Sequence, residues 1–149
     1  MSSQAQISQP QPSSSPASVV QQFFAAFGRG DLPSIKALFH PNAKIVAVRD
    51  GVRRGQQLHG SYSGLEGLAE FLSNLGRAFE TQAFAVDHVI AEGPVAFASG
   101  SFTHRVKSTG KDFSSAWALK CLVQDQQIVE YQFYEDSAAL VAADPNAAM

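Results

Sequence analysis

Along residues 130–136 polar side chains alternate, Glu130, Gln132, Tyr134 and Asp136, and the two-residue period of a strand sends all four to one face. If that face lines a hollow, Asp136 is a candidate general acid or base, because burial moves a carboxyl toward the pH at which it can exchange a proton. The same aspartate directly precedes Ser137–Ala142, a short helix that it would cap, and both roles stay open. His59 and Tyr62 stand ahead of a predicted helix. A histidine there titrates near neutrality and a phenol there can donate to a developing oxyanion, although solvated loop residues explain the pair as simply. Trp117, with Ser115 and Leu119 on its face, is either an aromatic wall for a flat apolar ligand or plain core. His88 and His104 fall in no recognised metal spacing, so no metal is expected. Arg49, Arg53 and Arg54 flank an Asp50-Gly51 turn, where they would meet a ligand anion or simply bulk solvent. No glycine-rich phosphate loop, nucleophile elbow or nucleotide fingerprint occurs.

The elements that must position these residues follow from period and punctuation. Ser18 with Gln21 forms a capping box ahead of Val19, Val20, Phe23, Phe24 and Phe27 at helical spacing, with Gly28 as the stop. Asp31 caps a second helix carrying Leu32, Ile35, Leu38 and Phe39, which His40-Pro41 ends. Ala43–Arg49 reads as a strand that turns at Asp50-Gly51 and returns over Val52–Leu58. Ser63 and Glu66 open a third helix with Leu65, Leu68, Phe71, Leu72 and Leu75 on one side. From there the period becomes two: Ala78–Ala91, Val95–Lys107, Asp112–Val123 and Ile128–Glu135 read as strands, and the short turns between them predict an antiparallel meander.

A chain of 149 residues supports one domain with one core. Hydrophobic residues at 45% and charged residues at 16% fit a globular chain, and a net charge of -2 spread along the sequence gives no footprint for nucleic acid. Residues 1–17, nearly all Ser, Gln, Pro and Ala, cannot bury enough apolar surface to offset their ordering entropy and are expected to form a disordered tail; residues 144–149 have the same look. The domain is therefore expected over 18–143. The lone Cys121 excludes an internal disulfide, no apolar run is long enough to span a membrane, and no secretory signal is recognisable, which together suggest a cytoplasmic protein.

From Ser18 to Ala143 the sequence resembles the NTF2-like superfamily, and within it SnoaL-like, ketosteroid-isomerase-related proteins. The resemblance is carried by Gly30-Asp31-Leu32, Leu38-Phe39-His40-Pro41-Asn42-Ala43, His59 to Leu68, Thr109-Gly110-Lys111, Ala116-Trp117-Ala118 and Ile128 with Phe133 to Leu140. Asn42 stands where an aspartate is usual, and Gln126-Gln127 where Gly-Lys is usual. The resemblance implies an α+β cone, three N-terminal helices on a curved, mostly antiparallel mixed sheet, commonly paired as a homodimer through the outer sheet face. It implies a cavity for a small hydrophobic or carbonyl-bearing molecule, no cofactor, and a mouth shaped by the loop that holds His59 and Tyr62. Asp136 matches the aspartate that closes the last strand. The expected lining is Trp117, Gln132, Tyr134, Phe27, Phe71 and Leu119, with Asp136, His59 and Tyr62 as the reacting groups.

Fold does not fix function in such a superfamily. One reading is a small-molecule-binding domain. Another is a cofactor-independent isomerase, cyclase or dehydratase in which Asp136 or His59 moves a proton while Tyr62 or Tyr134 donates to the oxyanion; a third is a non-catalytic dimerisation module.

Overall fold

A computed structural model describes residues 15–146. The first helix, α1 (Pro16–Arg29), starts three residues earlier than its capping-box signal: Ser15 is the cap, accepting from the Ser18 N–H at 3.1 Å, and Pro16 takes the first helical position, where its missing N–H costs nothing. Pro16 and Ala17 are therefore helical rather than tail, while the rest of the expected tail, residues 1–14, lies outside the described residues. Gly28 is passed through, and α1 ends at Gly30, whose left-handed φ of 65° closes the helix. Helix α2 (Leu32–Ala37) is capped by Asp31 as its sequence predicts.

Strand β1 (Phe39–Ala47) does not turn back at Asp50-Gly51. Residues 48–59 form a long loop instead, and the returning strand is β2 (Gly60–Ser63), followed at once by α3 (Gly64–Ala78). Ser63 is the α3 cap by position but makes no side-chain capping bond. The meander follows as predicted within a residue or two: β3 (Phe79–Glu92), β4 (Val95–Val106), β5 (Asp112–Gln124) and β6 (Gln127–Glu135). A short α4 (Ser137–Ala143) is the last element.

The six strands make one open mixed sheet in the order β2-β1-β6-β5-β4-β3. All neighbours are antiparallel except β1 and β6, whose parallel pairing sets Ile45 beside Tyr131 and Ala47 beside Phe133. In β4 and β5 every second side chain is buried, so one sheet face carries the core. Two irregularities in β3, between Thr81 and Ala83 and between Val86 and His88, bend the long strands around that face. At Gly100 a Cβ would collide with the Ala85 carbonyl and lie 2.8 Å from the Trp117 ring, so only glycine lets β3, β4 and the indole come this close.

Phe23 of α1 is the hub of the core. Its ring meets those of Phe24, Phe27, Phe39 and Tyr131 at centroid distances of 5.2 to 5.9 Å. From α3, Leu68 and Phe71 are buried against the same face. The phenylalanine stripes thus serve the core first, and the hollow that remains is small.

Candidate functional site

Between α1, α3 and the sheet lies a cavity lined by Phe23, Phe24, Phe27, Phe71, Phe84 and Phe133, with Ala47, Val48, Leu58, Leu75, Tyr131, His59, His104 and Glu135 completing the wall. Its free volume is about 40 Å³, room for about one or two water molecules. The open hollow expected from the sequence is therefore largely filled by phenylalanine rings. A ligand of any size must displace partly buried side chains of the wall, of which Phe27, Leu58, Leu75 and Phe84 are examples.

The polar end of this cavity is built by a strand that stops. β1 ends at Ala47, and Val48 takes a φ of 66°, rare for a β-branched residue. The Arg49 N–H donates to the Ala47 carbonyl at 2.7 Å, closing a γ-turn around Val48, and the Val48 N–H donates to the Phe133 carbonyl at 2.9 Å. Such a backbone costs on the order of 1–3 kcal/mol. With β1 turned aside, His59, just ahead of β2, reaches Glu135, the last residue of β6. His59 Nε2 and Glu135 Oε2 are 3.1 Å apart, with side chains only 8% and 6% exposed. The Arg49 guanidinium donates to the His59 and Val52 carbonyls, both at 3.2 Å, and so pins the loop beside the pair.

Glu135 and its neighbour point opposite ways. The inward row of β6 is Tyr131, Phe133 and Glu135, whereas Gln132 and Tyr134 belong to the other face, with Tyr134 47% exposed. Neither Gln132 nor Tyr134 lines the cavity. Asp136 is exposed, and its Oδ1 accepts from the Ala139 N–H at 3.1 Å, capping α4. The expectation that the polar row of the last strand faces the hollow is corrected: the row that faces the other five phenylalanines of the lining is the one carrying Tyr131 and Phe133, and a phase error of one residue turns every side chain over.

The other predicted residues divide. His59, Phe27 and Phe71 line the cavity. Trp117 and Leu119 are buried but lie behind the lining, the indole stacked on Phe84 and Phe133 at 5.2 and 5.6 Å with its N–H donating to the Ser101 carbonyl. Tyr62 is buried outside the cavity, where its hydroxyl donates to the Leu58 carbonyl at 2.7 Å and accepts from Asn74, and burial raises its pKa above the usual tyrosine value. The neighbouring arginines also part company: Arg53 lies 3.5 Å over the Tyr62 ring and forms a two-pronged pair with Glu70, while Arg54 stands on the rim of an adjoining polar recess that shares Leu58 and His59 with the inner cavity.

Sequence reasoning missed Glu135, Tyr131 and His104. The available signal was the row Val129, Tyr131, Phe133 in a strand that must face a core, with Glu135 as the one acid in its continuation. His104 is only 5% exposed, stacked on Phe102 and Phe79 at 4.1 and 4.7 Å, with Nδ1 3.1 Å from the Thr81 hydroxyl. Burial pushes its pKa down to about 4. Burial also drives the Tyr131 phenol well above its usual value, reinforced by the nearby Cys121 thiol and Glu135. Among the described residues, no three His, Cys, Asp or Glu side chains are grouped as metal ligands would be, and no helix is long and apolar enough to cross a membrane.

A family model described as SnoaL-like domain matches residues 20–131, three quarters of the chain. The chain belongs to the SnoaL-like domain family. An NTF2-like protein from Burkholderia xenovorans LB400 has a similar structure, with 26% identity and a TM-score of 0.75 over 86% of this chain and 94% of that one. A structure of TerC co-crystallised with polyporic acid shares the fold, with a TM-score of 0.72 and 19% identity over 87% of this chain and 98% of that one. Patulin biosynthesis cluster protein F of Penicillium expansum is 28% identical over 78 residues, 52% of this chain and 39% of that protein, so the match spans well under half of the relative's length. The SnoaL-like domain thus has relatives among natural-product biosynthesis proteins.

Proposed function

We propose that this SnoaL-like domain binds a small apolar molecule bearing a carbonyl and moves a proton on it without a cofactor, in the manner of an isomerase, cyclase or dehydratase. The observation that carries this reading is the buried His59–Glu135 pair at the polar end of a phenylalanine-walled cavity. Glu135 accepts the Nε2–H and so selects the tautomer in which Nδ1, without a partner among the described residues, keeps its lone pair. His59 then takes a proton from the carbon next to the carbonyl; the C–H electron pair becomes the C=C of an enolate, and the proton returns from the imidazolium to carbon or oxygen. This assignment makes His59 the base and Glu135 the carboxylate that positions it, and leaves Asp136 outside the reaction. The names of the patulin-cluster relative and of the polyporic-acid complex support an oxygenated apolar ligand.

The test is deuterium exchange at the α-carbon of 2-tetralone in D₂O, followed by NMR. The intact protein is expected to accelerate exchange, and His59→Gln to slow it by about 10²-fold or more. Exchange by His59→Gln at the wild-type rate would place the base elsewhere.

A homodimer through the outer sheet face belongs to the same proposal. Ile90, Phe97 and Tyr134 are exposed there, and Ile90 sits directly beside Phe97 in register. Sedimentation should give a dimer at micromolar concentration; a monomer removes this part of the reading.

A further inference from the structure

Two buried polar side chains on the cavity wall each carry an atom with no hydrogen-bond partner among the described residues. Tyr131 is only 4% exposed, and its hydroxyl makes no hydrogen bond among the described residues; its ring is fixed between Phe23, Phe39 and Phe71 at 5.6 to 5.9 Å. His104 uses Nδ1 on Thr81, and its Nε2 likewise has no partner among those residues. Burying an unsatisfied donor or acceptor costs about 1–3 kcal/mol, and a phenylalanine at either position would fill the same shape without that cost. Both residues line the one cavity that also holds His59 and Glu135.

Resting on the function proposed above, we infer that Tyr131 and His104 are the groups that recognise the ligand's oxygens, and that the ligand is an uncharged compound carrying at least two. The phenol donates to a carbonyl oxygen, and the imidazole exchanges a hydrogen bond with a hydroxyl. An anionic ligand is disfavoured, because neither group carries a positive charge at neutral pH and Glu135 lies close enough to the phenol to oppose its ionisation. The pair differs in kind from His59, whose ring is held by a carboxylate.

Calorimetric titration with three probes of one skeleton tests this: 2-tetralone, 6-hydroxy-2-tetralone and tetralin-2-carboxylate. The expected order of affinity is hydroxyketone, ketone, carboxylate, each step about tenfold. Tyr131→Phe should weaken both ketones by about tenfold, and His104→Phe should bind the ketone and the hydroxyketone equally. His104→Gln, which restores a donor, should recover part of the difference and serves if the phenylalanine variant misfolds. The inference is overturned if both variants bind all three probes as the wild type does, or if the carboxylate binds best. Should these fail while 2-tetralone still exchanges its α-protons through His59, only this inference falls; if the wild type binds none of the probes, the proposed function falls with it.

Discussion

The two faces of β6 carry nearly the same chemical vocabulary and opposite duties. On one, Tyr131, Phe133 and Glu135 close a cavity; on the other, Gln132 and Tyr134 face away from it and the next residue, Asp136, caps a helix in solvent. The acid with the more obvious alternation is the one with the structural task. Which acid meets a histidine is decided by packing: Glu135 lies among the phenylalanines of α1 and α3 and beside the His59 that a turned-aside strand delivers.

The comparison is broken most severely in stability by truncating one side chain from each face. Phe133→Ala, which strips the ring stacked on Trp117, is expected to cost about 3 kcal/mol in urea unfolding, whereas Tyr134→Ala, read at a concentration where the chain is monomeric, should cost about 0.5 kcal/mol or less. Equal losses would mean that the two faces are not inner and outer at all.

The pH dependence of the inner wall comes next. His104 titrates near 6.5 when unfolded and about 4 when folded, so the unfolded chain binds the extra proton in that window. The corresponding stability is fully present above pH 6.5 and is lost as pH falls through 4, by about 3 kcal/mol at most. His104→Phe should flatten this part of the stability profile; an unchanged slope between pH 6.5 and 4 would show that the imidazole is not desolvated.

A smaller effect than either change to the inner wall belongs to the outer acid. Asp136→Ala removes the α4 cap and is expected to cost about 1 kcal/mol, read from the same urea midpoints, by exposing the Ala139 N–H. A loss several times larger would give Asp136 a burden beyond that single hydrogen bond.

Much of the architecture was legible because period and punctuation are local. Phe23 and Phe27 announce a helix, Gly93-Pro94 and Thr109-Gly110 announce turns, and the four long strands follow within a residue or two. The site was less legible because it depends on phase and on a defect. The phase of β6 is set by its parallel pairing with β1, a contact between residues nearly ninety positions apart that no local pattern reveals. The defect is the positive φ of Val48, a residue whose type argues against it; with the strand expected to turn at Asp50-Gly51, the meeting of His59 with Glu135 stayed hidden. His59, Phe27 and Phe71 were found because a resemblance or an apolar stripe pointed to them, whereas sequence reasoning weighed His104 only as a metal ligand and gave Tyr131 no role, because their place on the cavity wall depends on the pairing of distant strands.

The most direct measurement sets the two adjacent acids side by side in one assay of α-proton exchange on 2-tetralone. Glu135→Gln, which keeps the shape but can no longer hold the His59 Nε2–H as a carboxylate, is expected to slow exchange by at least about tenfold, while Asp136→Asn exchanges as the wild type does. Slow exchange in Asp136→Asn with a normal rate in Glu135→Gln would contradict the account, because the working carboxylate would then be the one that faces water.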